Sequence, residues 1–535
     1  MRRSLCISLC AAALVLFPSG ASATGPGGWD HLGTGNPSTN RSLNGAVGAL
    51  HGSGGVLYAG GSFTDAGGVA NGDRIAKWNG VAWSALGPGI GNGIVNAIAV
   101  AGGIVYAGGT FLDAGGDPKA DYLAMWNGTT WSHFCNRIDA NNTSAFDGNV
   151  RALQVIGNKL HVGGSFLNGA GYSSADGLLT CELGTGAATS LLNFNASGQG
   201  VYALAADSNG VLYAGGPFIN FDTTANADKV AMYTGTGWTG LGPGVDGVLT
   251  GIVRSLATSG TDLYIGTDQI DVNGIAQADH VAKWDGAAWS AVGANTAGTN
   301  GWFAGTSATI SGLTAIGSNL FAIGTFSNAN GNTKADHIAW FDGSDWSPLG
   351  SDGATNGPLN ASGLVVTTMG GTVFAGGSFT SAGGDNFAWS AASFRFQRPD
   401  ARIGTSASGP FVGNDVYNAT AAGQQKSVSV ARGSSRTLYL DIQNDGRVSG
   451  RLLLKGTGAA SGFTVKYVRG TTNVTSAVLA GTYLTPTLAP GARVGLKLVV
   501  TLAASTASSA TFKVVASSQP GTPVVDAVKA KVNAT

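Results

Sequence analysis

The carboxylates of this sequence are the residues whose types and spacing come nearest to a site for chemistry. An aspartate precedes a short apolar segment seven times, and such a ring of carboxylates could hold a metal ion or exchange protons. A single-site enzyme has no reason to repeat a catalytic group in every copy of a motif. An aspartate in a loop, by contrast, commonly accepts hydrogen bonds from backbone N–H groups. We therefore expect a structural role for Asp73, Asp121, Asp176, Asp228, Asp279, Asp336 and Asp385.

The other acids do not form an evident catalytic pair. Glu182 is the only glutamate, so a glycosidase-type carboxylate pair would have to consist of aspartates. The loop that contains Asp65 and Asp73 lacks the dense alternating acids of known calcium loops. The candidates outside the repeated position are not paired by any spacing; they are Asp139, Asp147, Asp246, Asp268 and Asp271.

The histidines and cysteines also lack the spacing of a metal site. His280 and His337 occupy the same repeat position, which we interpret as a permissive site rather than a pair of ligands. We therefore predict no metal and no cofactor. Cys135 and Cys181 follow the N-terminal leader, and in an oxidising compartment they either form a disulfide or remain two separate buried thiols.

A recurring motif predicts the architecture that would position these residues. The segment "LYAGGSF" at Tyr58 is the first of seven related segments about 53 residues apart. A period of this size, built from strand-like segments, is typical of β-propeller blades. Each copy contains four candidate strands, for example Val95–Val100 for a first strand, Arg74–Trp78 for a third and Ala82–Leu86 for a fourth. The copies are centred on Tyr58, Tyr106, His161, Tyr213, Tyr264, Phe321 and Phe374.

Local features of the repeat predict tight turns and close packing. Asn79-Gly80 and its counterparts predict two-residue type I′ turns between the third and fourth strands. The glycine doublet that ends the second strand predicts a close approach between neighbouring sheets. Aromatic pairs recur across the hairpin, such as Trp78 with Trp83, and Trp340 with Trp346 in the sixth copy. We interpret these pairs as packing between sheets rather than as platforms for sugar rings.

The two ends of the repeat region predict how the sheets are completed. The seventh copy has a third strand at about Ala392–Phe396 but no fourth strand after it. The segment "WDHLG", Trp29 to Gly33, has the sequence of a fourth strand and no unit before it. We therefore predict an all-β fold in which residues 24–397 form a seven-bladed β-propeller closed by an N-terminal strand.

The repeat resembles a known group of sequences. The pattern "YAGGSF", followed by "AGG", "iAkWnG" and "WsalG", is similar to kelch-related propeller repeats of secreted bacterial proteins and to repeats of fungal cortical polarity markers. The resemblance covers about Trp29 to Phe396 and implies the propeller fold. It implies little about function, because such propellers serve many roles. The third copy departs from the pattern, since "LLTCELGTGAATSLL" lacks both tryptophans, and the fifth copy lacks the glycine doublet.

The regions on either side of the propeller predict a secreted protein with a second domain. Residues 1–23 carry two arginines, a short apolar run and Ala21-Ser22-Ala23, which together are typical of a secretory signal peptide. Residues 398–535 contain about seven short alternating segments separated by turns, which predicts an immunoglobulin-like β-sandwich. We expect a secreted protein that is extracellular, periplasmic or attached to the cell surface.

Two enlarged loops, at residues 133–149 and 293–312, are the features that the repeat does not explain. Trp302 and Phe303 in the second loop have no counterpart in the other copies. An unrepeated aromatic pair in a polar loop is a candidate contact for a sugar ring or a partner. The alternative is that the two rings fold over the rim and cover the core.

Composition and loop placement favour a binding protein. Charged residues make up 11% of the chain, and 29 basic residues balance 29 acidic ones, so we expect no nucleic-acid partner. No segment after the leader predicts a membrane span. We expect a monomeric, non-catalytic binding or adhesion scaffold whose loop-rich propeller face meets a protein or a glycan. The alternative is a secreted carbohydrate-active or oxidase-type enzyme with a site at the channel mouth.

Overall fold

The computed structural model describes thirteen stretches of the chain and is all-β in them. The predicted leader lies outside the described residues. Within them, the α-helical structure is the short helix α1 (Thr475–Ala480), accompanied by one-turn 3-10 helices in loops. The described residues are 29–33, 41–137, 143–191, 200–242, 249–303, 308–317, 319–369, 371–396, 398–446, 450–460, 462–504, 508–518 and 525–535.

Seven four-stranded antiparallel sheets occupy the first three quarters of the chain. The chain begins with β1 (Trp29–His31), which belongs to the seventh sheet. The first three sheets are β2 (Val47–Ser53), β3 (Val56–Gly61), β4 (Ile75–Trp78), β5 (Trp83–Ala85); β6 (Val95–Ala101), β7 (Ile104–Gly109), β8 (Leu123–Trp126), β9 (Trp131–His133); and β10 (Val150–Ile156), β11 (Lys159–Gly164), β12 (Leu178–Glu182), β13 (Ala188–Thr189). The next three are β14 (Ala203–Ala206), β15 (Leu212–Gly215), β16 (Val230–Tyr233), β17 (Trp238–Gly240); β18 (Val253–Ser259), β19 (Asp262–Thr267), β20 (Val281–Trp284), β21 (Trp289–Ala291); and β22 (Ile310–Ile316), β23 (Asn319–Gly324), β24 (Ile338–Phe341), β25 (Trp346–Pro348). The seventh sheet adds β26 (Gly363–Met369), β27 (Thr372–Gly377) and β28 (Ala391–Arg395) to β1.

The N-terminal strand completes the last sheet, as the sequence predicts. β1 pairs antiparallel with β28 and places Trp29 opposite Phe394. The Trp29 side chain is fully buried in the same hydrophobic cluster as Phe394. The segment before the first sheet therefore takes the place of the fourth strand that the seventh repeat lacks.

Neighbouring sheets meet where a glycine of one second strand faces a branched residue of the next first strand. A Cβ atom on Gly60 would lie 2.5 Å from Cγ1 of Val95, so only glycine permits this approach. The seventh sheet meets the first in the same way, because a Cβ on Gly376 would lie 2.6 Å from Cγ1 of Val47. The close approach predicted from the glycine doublet is thus confirmed. The equivalent pairs are Gly108 with Val150, Gly163 with Val201, Gly215 with Val253 and Gly266 with Ile310.

At the junction between the sixth and seventh sheets, the glycine and the branched residue exchange strands. Ile323 stands where the other second strands carry glycine, and Gly363 stands where the other first strands carry valine or isoleucine. A Cβ on Gly363 would overlap the side chain of Ile323. The exchange keeps the volume at the junction nearly constant, which is what a close-packed interior requires.

In six of the seven described sheets, an indole group joins the outer strand to the preceding sheet. Trp29 Nε1 donates to the Leu349 carbonyl of the sixth sheet at 2.8 Å, and Trp83 Nε1 of the first sheet donates to the Leu32 carbonyl at 2.8 Å. The N-terminal segment is therefore bonded to the sheets on both sides of it. This geometry agrees with a packing role for the repeated tryptophans. The same bond joins Trp131 to Leu86 (2.9 Å), Trp238 to Leu191 (3.1 Å), Trp289 to Leu241 (2.8 Å) and Trp346 to Val292 (2.6 Å).

The hairpins between the third and fourth strands differ from the predicted turns. Trp78 pairs with Trp83, which leaves a four-residue connection rather than a two-residue type I′ turn. Gly80 has a positive φ of 97°, but Asn79 is not among the residues with positive φ. Asn79 Oδ1 instead accepts from the N–H groups two and three residues further on, at 2.9 and 2.8 Å. The asparagine acts through its side chain, as in an Asx turn.

The aromatic pair of the sixth sheet is also shifted by one residue from the prediction. Phe341, not Trp340, lies opposite Trp346, with ring centroids 5.4 Å apart. Trp340 points to the other side of the strand and packs on Phe396, with centroids 4.7 Å apart. The hairpin requires a spacing of five residues between its aromatics, and Phe341 satisfies it.

The rest of the chain forms two further sheets around one core. The first sheet has the order β30-β29-β32-β37-β34-β35 and the second β31-β39-β38-β33-β36, with β31 and β39 parallel. Leu440, Leu498 and Phe512 are fully buried between them. The predicted domain boundary at 397/398 falls between β28 and β29. The strands are β29 (Pro399–Gly404), β30 (Phe411–Val412), β31 (Gln425–Val430), β32 (Ser435–Asn444), β33 (Leu453–Gly456), β34 (Phe463–Arg469), β35 (Thr472–Asn473), β36 (Tyr483–Leu484), β37 (Arg493–Leu502), β38 (Ser509–Ser517) and β39 (Val525–Ala534).

Candidate functional site at the loop edge

Antiparallel pairing places alternate connections at opposite ends of each sheet. The connections between strands one and two, and between three and four, are short turns. The connections from strand two to three and from strand four to the next sheet are longer and lie at the other end, which we term the loop edge. Its second-to-third-strand loops are residues 62–74, 110–122, 165–177, 216–229, 268–280, 325–337 and 378–390.

Five of these loops share one conformation that an aspartate maintains. In the second sheet, Asp113 has a left-handed backbone with φ 51° and precedes the one-turn helix Ala114–Gly116. Asp121 Oδ1 accepts a hydrogen bond of 2.8 Å from the Asp113 N–H, eight residues earlier. The repeated aspartate therefore holds the two ends of the loop together, in agreement with a structural role. The same bond joins Asp176 to Asn168 (2.8 Å), Asp228 to Asn220 (2.6 Å), Asp279 to Asp271 (3.0 Å) and Asp336 to Asn328 (2.6 Å).

Two of these aspartates also fix the second kind of loop at this edge. Asp279 Oδ2 accepts from the Gly301 N–H at 3.2 Å, and Asp336 Oδ2 accepts from the Gly357 N–H at 3.0 Å. Both glycines lie in connections that lead from a fourth strand to the next sheet. Each carboxylate therefore joins two loops through backbone donors, and its oxygens are engaged by the fold.

The seventh predicted aspartate, Asp385, is not equivalent to the others. In the first six loops the residue after the aspartate has a positive φ, as Arg74 does at 61°, next to Asp73. In the seventh loop that residue is Ser390, at 60°, and the residue before it is Trp389. The prediction of seven equivalent aspartates is therefore wrong at Asp385. The reason is that Asp385 was assigned as the acid nearest to the third strand. The residue with positive φ, Ser390, shows that Trp389 occupies the repeated position.

Asp385 instead forms a buried pair with the N-terminal strand. Its Oδ2 lies 2.6 Å from Nδ1 of His31, and both side chains are less than a tenth exposed. The hydrogen bond with Asp385 raises the pKa of His31, although burial alone would lower it. Burial tends to raise the pKa of Asp385, but hydrogen bonds from His31 and from the Phe387 N–H leave that pKa below its usual value. The two groups therefore favour the ion pair in the folded state.

A second histidine–aspartate pair occupies the equivalent place in the second sheet. His133 Nδ1 lies 2.6 Å from Asp117 Oδ2, and here the side chains are 41% and 23% exposed. Both histidines stand two residues after the tryptophan of a fourth strand, and both aspartates follow an Ala-Gly-Gly triplet. Sequence reasoning did not find these pairs, although the coincidence of the two residue types in the same two copies was a signal.

The structure buries the aromatic pair that the sequence offered as a ligand contact. Trp302 is 5% exposed and Phe303 is 1% exposed. The Trp302 ring stacks on Trp346 at 5.9 Å, and Phe303 meets Phe326 edge-on at 4.9 Å. These positions agree with the alternative that the loop covers the core, and they disagree with stacking on a sugar ring. The prediction of binding by Trp302 and Phe303 is corrected on this ground.

Cys135 and Cys181 are joined by a disulfide in the structure. Cys135 follows the fourth strand of the second sheet and has a positive φ of 69°, at the position where Gly87 has 61°. Cys181 lies on the third strand of the third sheet, where the first sheet carries Trp78. The bond therefore connects the second and third sheets. Separate thiols were the alternative that the sequence left open.

The candidate aspartates outside the repeat also serve the loops, where they are described. Asp147 Oδ1 accepts from the Leu167 N–H at 2.7 Å, and Asp268 Oδ1 accepts from the Ile252 N–H at 2.8 Å. Asp271 supplies the N–H that Asp279 accepts. Asp139 and Asp246 lie outside the described residues. The carboxylates of Asp147 and Asp268 therefore support the loops.

His280 and His337 share a backbone requirement rather than a ligand. Both have positive φ, at 63° and 64°, and directly follow the loop aspartate. Burial lowers the pKa of His337, and its Nδ1 lies 3.2 Å from the Gly324 carbonyl. Arginine, tyrosine, glycine, lysine and serine fill the same position in other sheets. This variety agrees with the interpretation of a permissive site.

The two sheets that follow the seventh sheet, which we term the second unit, contain a cavity of about 350 Å³ next to buried charges. Asp441 at its wall accepts from Arg402 Nη2 at 2.6 Å. Asp400, on the same strand as Arg402, is 1% exposed, and burial together with the charge of Asp445 raises its pKa to about 7. The cavity is lined by residues that include Phe411, Tyr439, Asp441, Val468, Arg493 and Lys497.

The described residues contain neither a candidate metal cluster nor a candidate membrane-spanning helix. No group of three or more histidine, cysteine, aspartate or glutamate side chains is placed there to hold a metal ion. No helix in the same part of the chain is long and apolar enough to cross a membrane.

Comparison with known proteins gives no family for this chain. No family model and no curated protein matches it. Domains 4 and 5 of the S-layer protein SbsC match at 18% identity over 21% of this chain and 47% of that chain, with a TM-score of 0.13. The PapD-like domain 7 of human CEP192 matches at 12% identity over 21% and 82% of the chains, with a TM-score of 0.14. The N-terminal domain of PorA matches at 9% identity over 25% and 97%, with a TM-score of 0.15.

These similarities remain descriptive. The match spans less than half of the S-layer chain, and each TM-score indicates only a local likeness.

Proposed function

We propose that this protein is a secreted or cell-surface binding scaffold without catalytic activity. Its seven sheets would form a seven-bladed β-propeller of the kelch-related kind, closed by β1, and an immunoglobulin-like sandwich would follow from residue 398. The propeller would present its loop edge to a macromolecular ligand. The sandwich would space or attach the propeller.

The contacts between sheets support a closed ring. Every sheet meets the next through a glycine facing a branched side chain, including the seventh with the first through Gly376 and Val47. The indoles of Trp29 and Trp83 donate hydrogen bonds that join the N-terminal segment to the sixth and first sheets, which supports this closure. A closed ring packs every sheet against two neighbours and leaves only short edge strands, which suits a scaffold that must not aggregate.

The observation that carries the binding function is how the loop edge is built. In five sheets an aspartate receives the N–H eight residues earlier, so these loops are held in one conformation before any ligand arrives. A surface fixed in advance loses less conformational entropy on binding. The same bonds engage one oxygen of each of these five carboxylates in supporting a loop.

The disulfide and the leader sequence support secretion. A bond between Cys135 and Cys181 persists in an oxidising compartment and is rare in a reducing cytosol. The signal-like residues 1–23 would direct the chain to such a compartment.

The test is binding of the biotinylated full chain to a glycan array and to a library of displayed random peptides. A loop-edge variant carries glutamate at one exposed position in each loop, and Val81→Glu, on an 81% exposed turn residue at the opposite end, is the matched control. We expect specific binding to at least one probe, at least tenfold weaker for the loop-edge variant and unchanged for the control. The seven positions are Thr64, Leu112, Leu167, Ile219, Ile270, Ser327 and Thr380.

Three outcomes would contradict this function. They are no specific binding to either probe, binding that the seven glutamates leave unchanged, or turnover of a polysaccharide or phenolic substrate by the purified chain. Thermal unfolding of each variant confirms that a loss of binding does not come from a loss of fold.

A further inference from the structure

Exposed apolar side chains are concentrated at one position of the repeat. Among the described residues, nine large apolar side chains are exposed, and four of them occupy the same place in a second-to-third-strand loop. Leu112 is 43% exposed, Leu167 41%, Ile219 47% and Ile270 58%. They belong to the second, third, fourth and fifth sheets, which are consecutive. We term these four residues the aliphatic arc.

The fold itself does not require an apolar residue at this position. The first, sixth and seventh sheets carry Thr64, Ser327 and Thr380 there, and these side chains are also exposed. The backbone makes the same hydrogen bond in loops with either kind of residue. The Leu112 N–H and the Thr64 N–H each donate to an asparagine side chain, at 2.8 and 2.7 Å. The loop therefore keeps this backbone hydrogen bond with either a hydroxyl or an aliphatic side chain at the position. The aliphatic side chains therefore add apolar area to the surface at equivalent places in four consecutive sheets, beyond what the fold requires.

The loops that carry the arc are also the acidic loops. Residues 110–122, 165–177, 216–229 and 268–280 contain nine aspartates and two lysines, a net formal charge of −7. The loops of the other three sheets contain four aspartates, one lysine and one arginine, a net charge of −2. Lys229, one of the two lysines, directs its Nζ to the Pro217 carbonyl at 2.9 Å. Apolar surface and negative charge therefore coincide on one side of the loop edge.

We propose that the aliphatic arc docks a protein segment that presents apolar side chains among lysines and arginines. This inference rests on the proposed binding function and adds the place and the class of ligand. Leucine and isoleucine pack well against apolar protein side chains, whereas a sugar ring would be held by aromatic faces. The surrounding carboxylates speed the encounter with a cationic partner and disfavour acidic ones.

The test selects random peptides displayed on phage against the immobilised full chain. Binding of the selected peptides is then measured on an arc variant with Leu112→Ser, Leu167→Ser, Ile219→Ser and Ile270→Ser. The matched control is the variant Thr64→Ala, Ser327→Ala and Thr380→Ala, which changes the same position in the other sheets. We expect enriched peptides with aliphatic or aromatic residues and a net positive charge, bound at least tenfold more weakly by the arc variant and within twofold of the original by the control.

A second variant tests the electrostatic part without disturbing the loops. Asp113→Asn and Asp271→Asn remove charge at a position where other sheets carry Asn168, Asn220 and Asn328 with the same left-handed backbone. Selected peptides should bind this variant several-fold more weakly, and added salt should reduce the difference from the original chain.

The outcomes separate this inference from the proposed function. If binding is lost only in the Thr64, Ser327 and Thr380 variant, or if the chain binds glycans or acidic peptides instead, the arc is not the docking site. Both results would still agree with the proposed binding function. A dimer in sedimentation that the arc variant abolishes would assign the arc to a second copy of this chain and overturn the basic partner. An absence of specific binding to any probe would remove both proposals.

Discussion

Cys135 and Cys181 form their bond at the positions that a glycine and an aromatic ring occupy at other sheet junctions. At the junction between the first and second sheets, a Cβ on Gly87 would overlap the ring of Trp126. Between the second and third sheets, cysteine stands in both places, and a covalent bond replaces the contact. The third sheet, which lacks both tryptophans of the repeat, is thus the sheet that is covalently linked to its neighbour, the second sheet.

Removing this disulfide should destabilise the seven-sheet region. Cys135→Ser with Cys181→Ser releases a bond across 46 residues of sequence, which is worth up to about 4 kcal/mol of unfolding free energy if the loss is entropic. Thermal unfolding of the full chain, compared with and without a reductant, measures the effect. A chain that unfolds at the same temperature after reduction would show that the sheets do not depend on the bond.

A glycine at residue 135 should partly compensate for the loss. Cys135 has a φ of 69°, which glycine adopts without strain. The variant Cys135→Gly with Cys181→Ser should therefore be more stable than Cys135→Ser with Cys181→Ser, by about 1 kcal/mol. Equal stability of the two variants would contradict the equivalence with Gly87.

The buried pair of His31 and Asp385 should make the stability of the seven-sheet region depend on pH. The folded pKa of His31 is raised, so its contribution is complete below the unfolded pKa near 6.5 and is lost as the pH rises through the folded value. The folded pKa of Asp385 is lowered, so its contribution is present above about pH 4 and is lost at lower pH. The pair therefore stabilises most at about pH 5.

The variant His31→Asn tests this window by thermal unfolding between pH 4 and 9. We expect it to be less stable than the original chain by roughly 2 kcal/mol near pH 5, with a smaller difference above pH 7.5. His133→Asn is the matched control, because the equivalent pair with Asp117 is partly exposed and should matter little. If His31→Asn lowers the stability by the same amount at every pH, packing of the side chain rather than its charge stabilises β1.

Asp400 should make the stability of the second unit fall as the pH rises. Neither carboxylate oxygen has a hydrogen-bond partner among the described residues, and burial raises the pKa to about 7. Because the folded state keeps a proton that the unfolded chain releases above about pH 4, stability falls as the pH rises from 4 towards 7. Asp400→Asn should remove this decline and raise the unfolding temperature of that transition at pH 7.5. Unchanged unfolding at pH 7.5 would show that Arg402, 3.5 Å away, already compensates the charge.

The sequence was sufficient for the elements that follow from period and composition. Seven glycine motifs at a regular spacing predicted the seven sheets, and the isolated "WDHLG" segment predicted the pairing of β1 with β28. Each inference depended on a pattern that recurs, so a single deviation did not affect it. The second unit was predicted from alternation alone, which gave the strand type but fewer strands than the eleven in its described residues.

The sequence was insufficient where the answer depends on backbone conformation or on what a loop covers. Asp385 lies near the repeated position in sequence, but only the positive φ of Ser390 shows that Trp389 occupies it. Trp302 and Phe303 sit in a polar loop, and only tertiary packing decides whether such rings face solvent or the core. The aliphatic arc was missed because single exposed leucines carry no signal until the repeat aligns them.

The pairing of Asp30 with Ser393 allows the most direct test of the proposed ring. The two residues are direct partners in the ladder between β1 and β28, a separation that a disulfide can bridge. The full secreted chain with Asp30→Cys and Ser393→Cys should form an intramolecular bond between residues 30 and 393, identified by peptide mapping without reduction. Two free thiols, or a bond from residue 30 to any sheet other than the seventh, would contradict closure by the N-terminal strand.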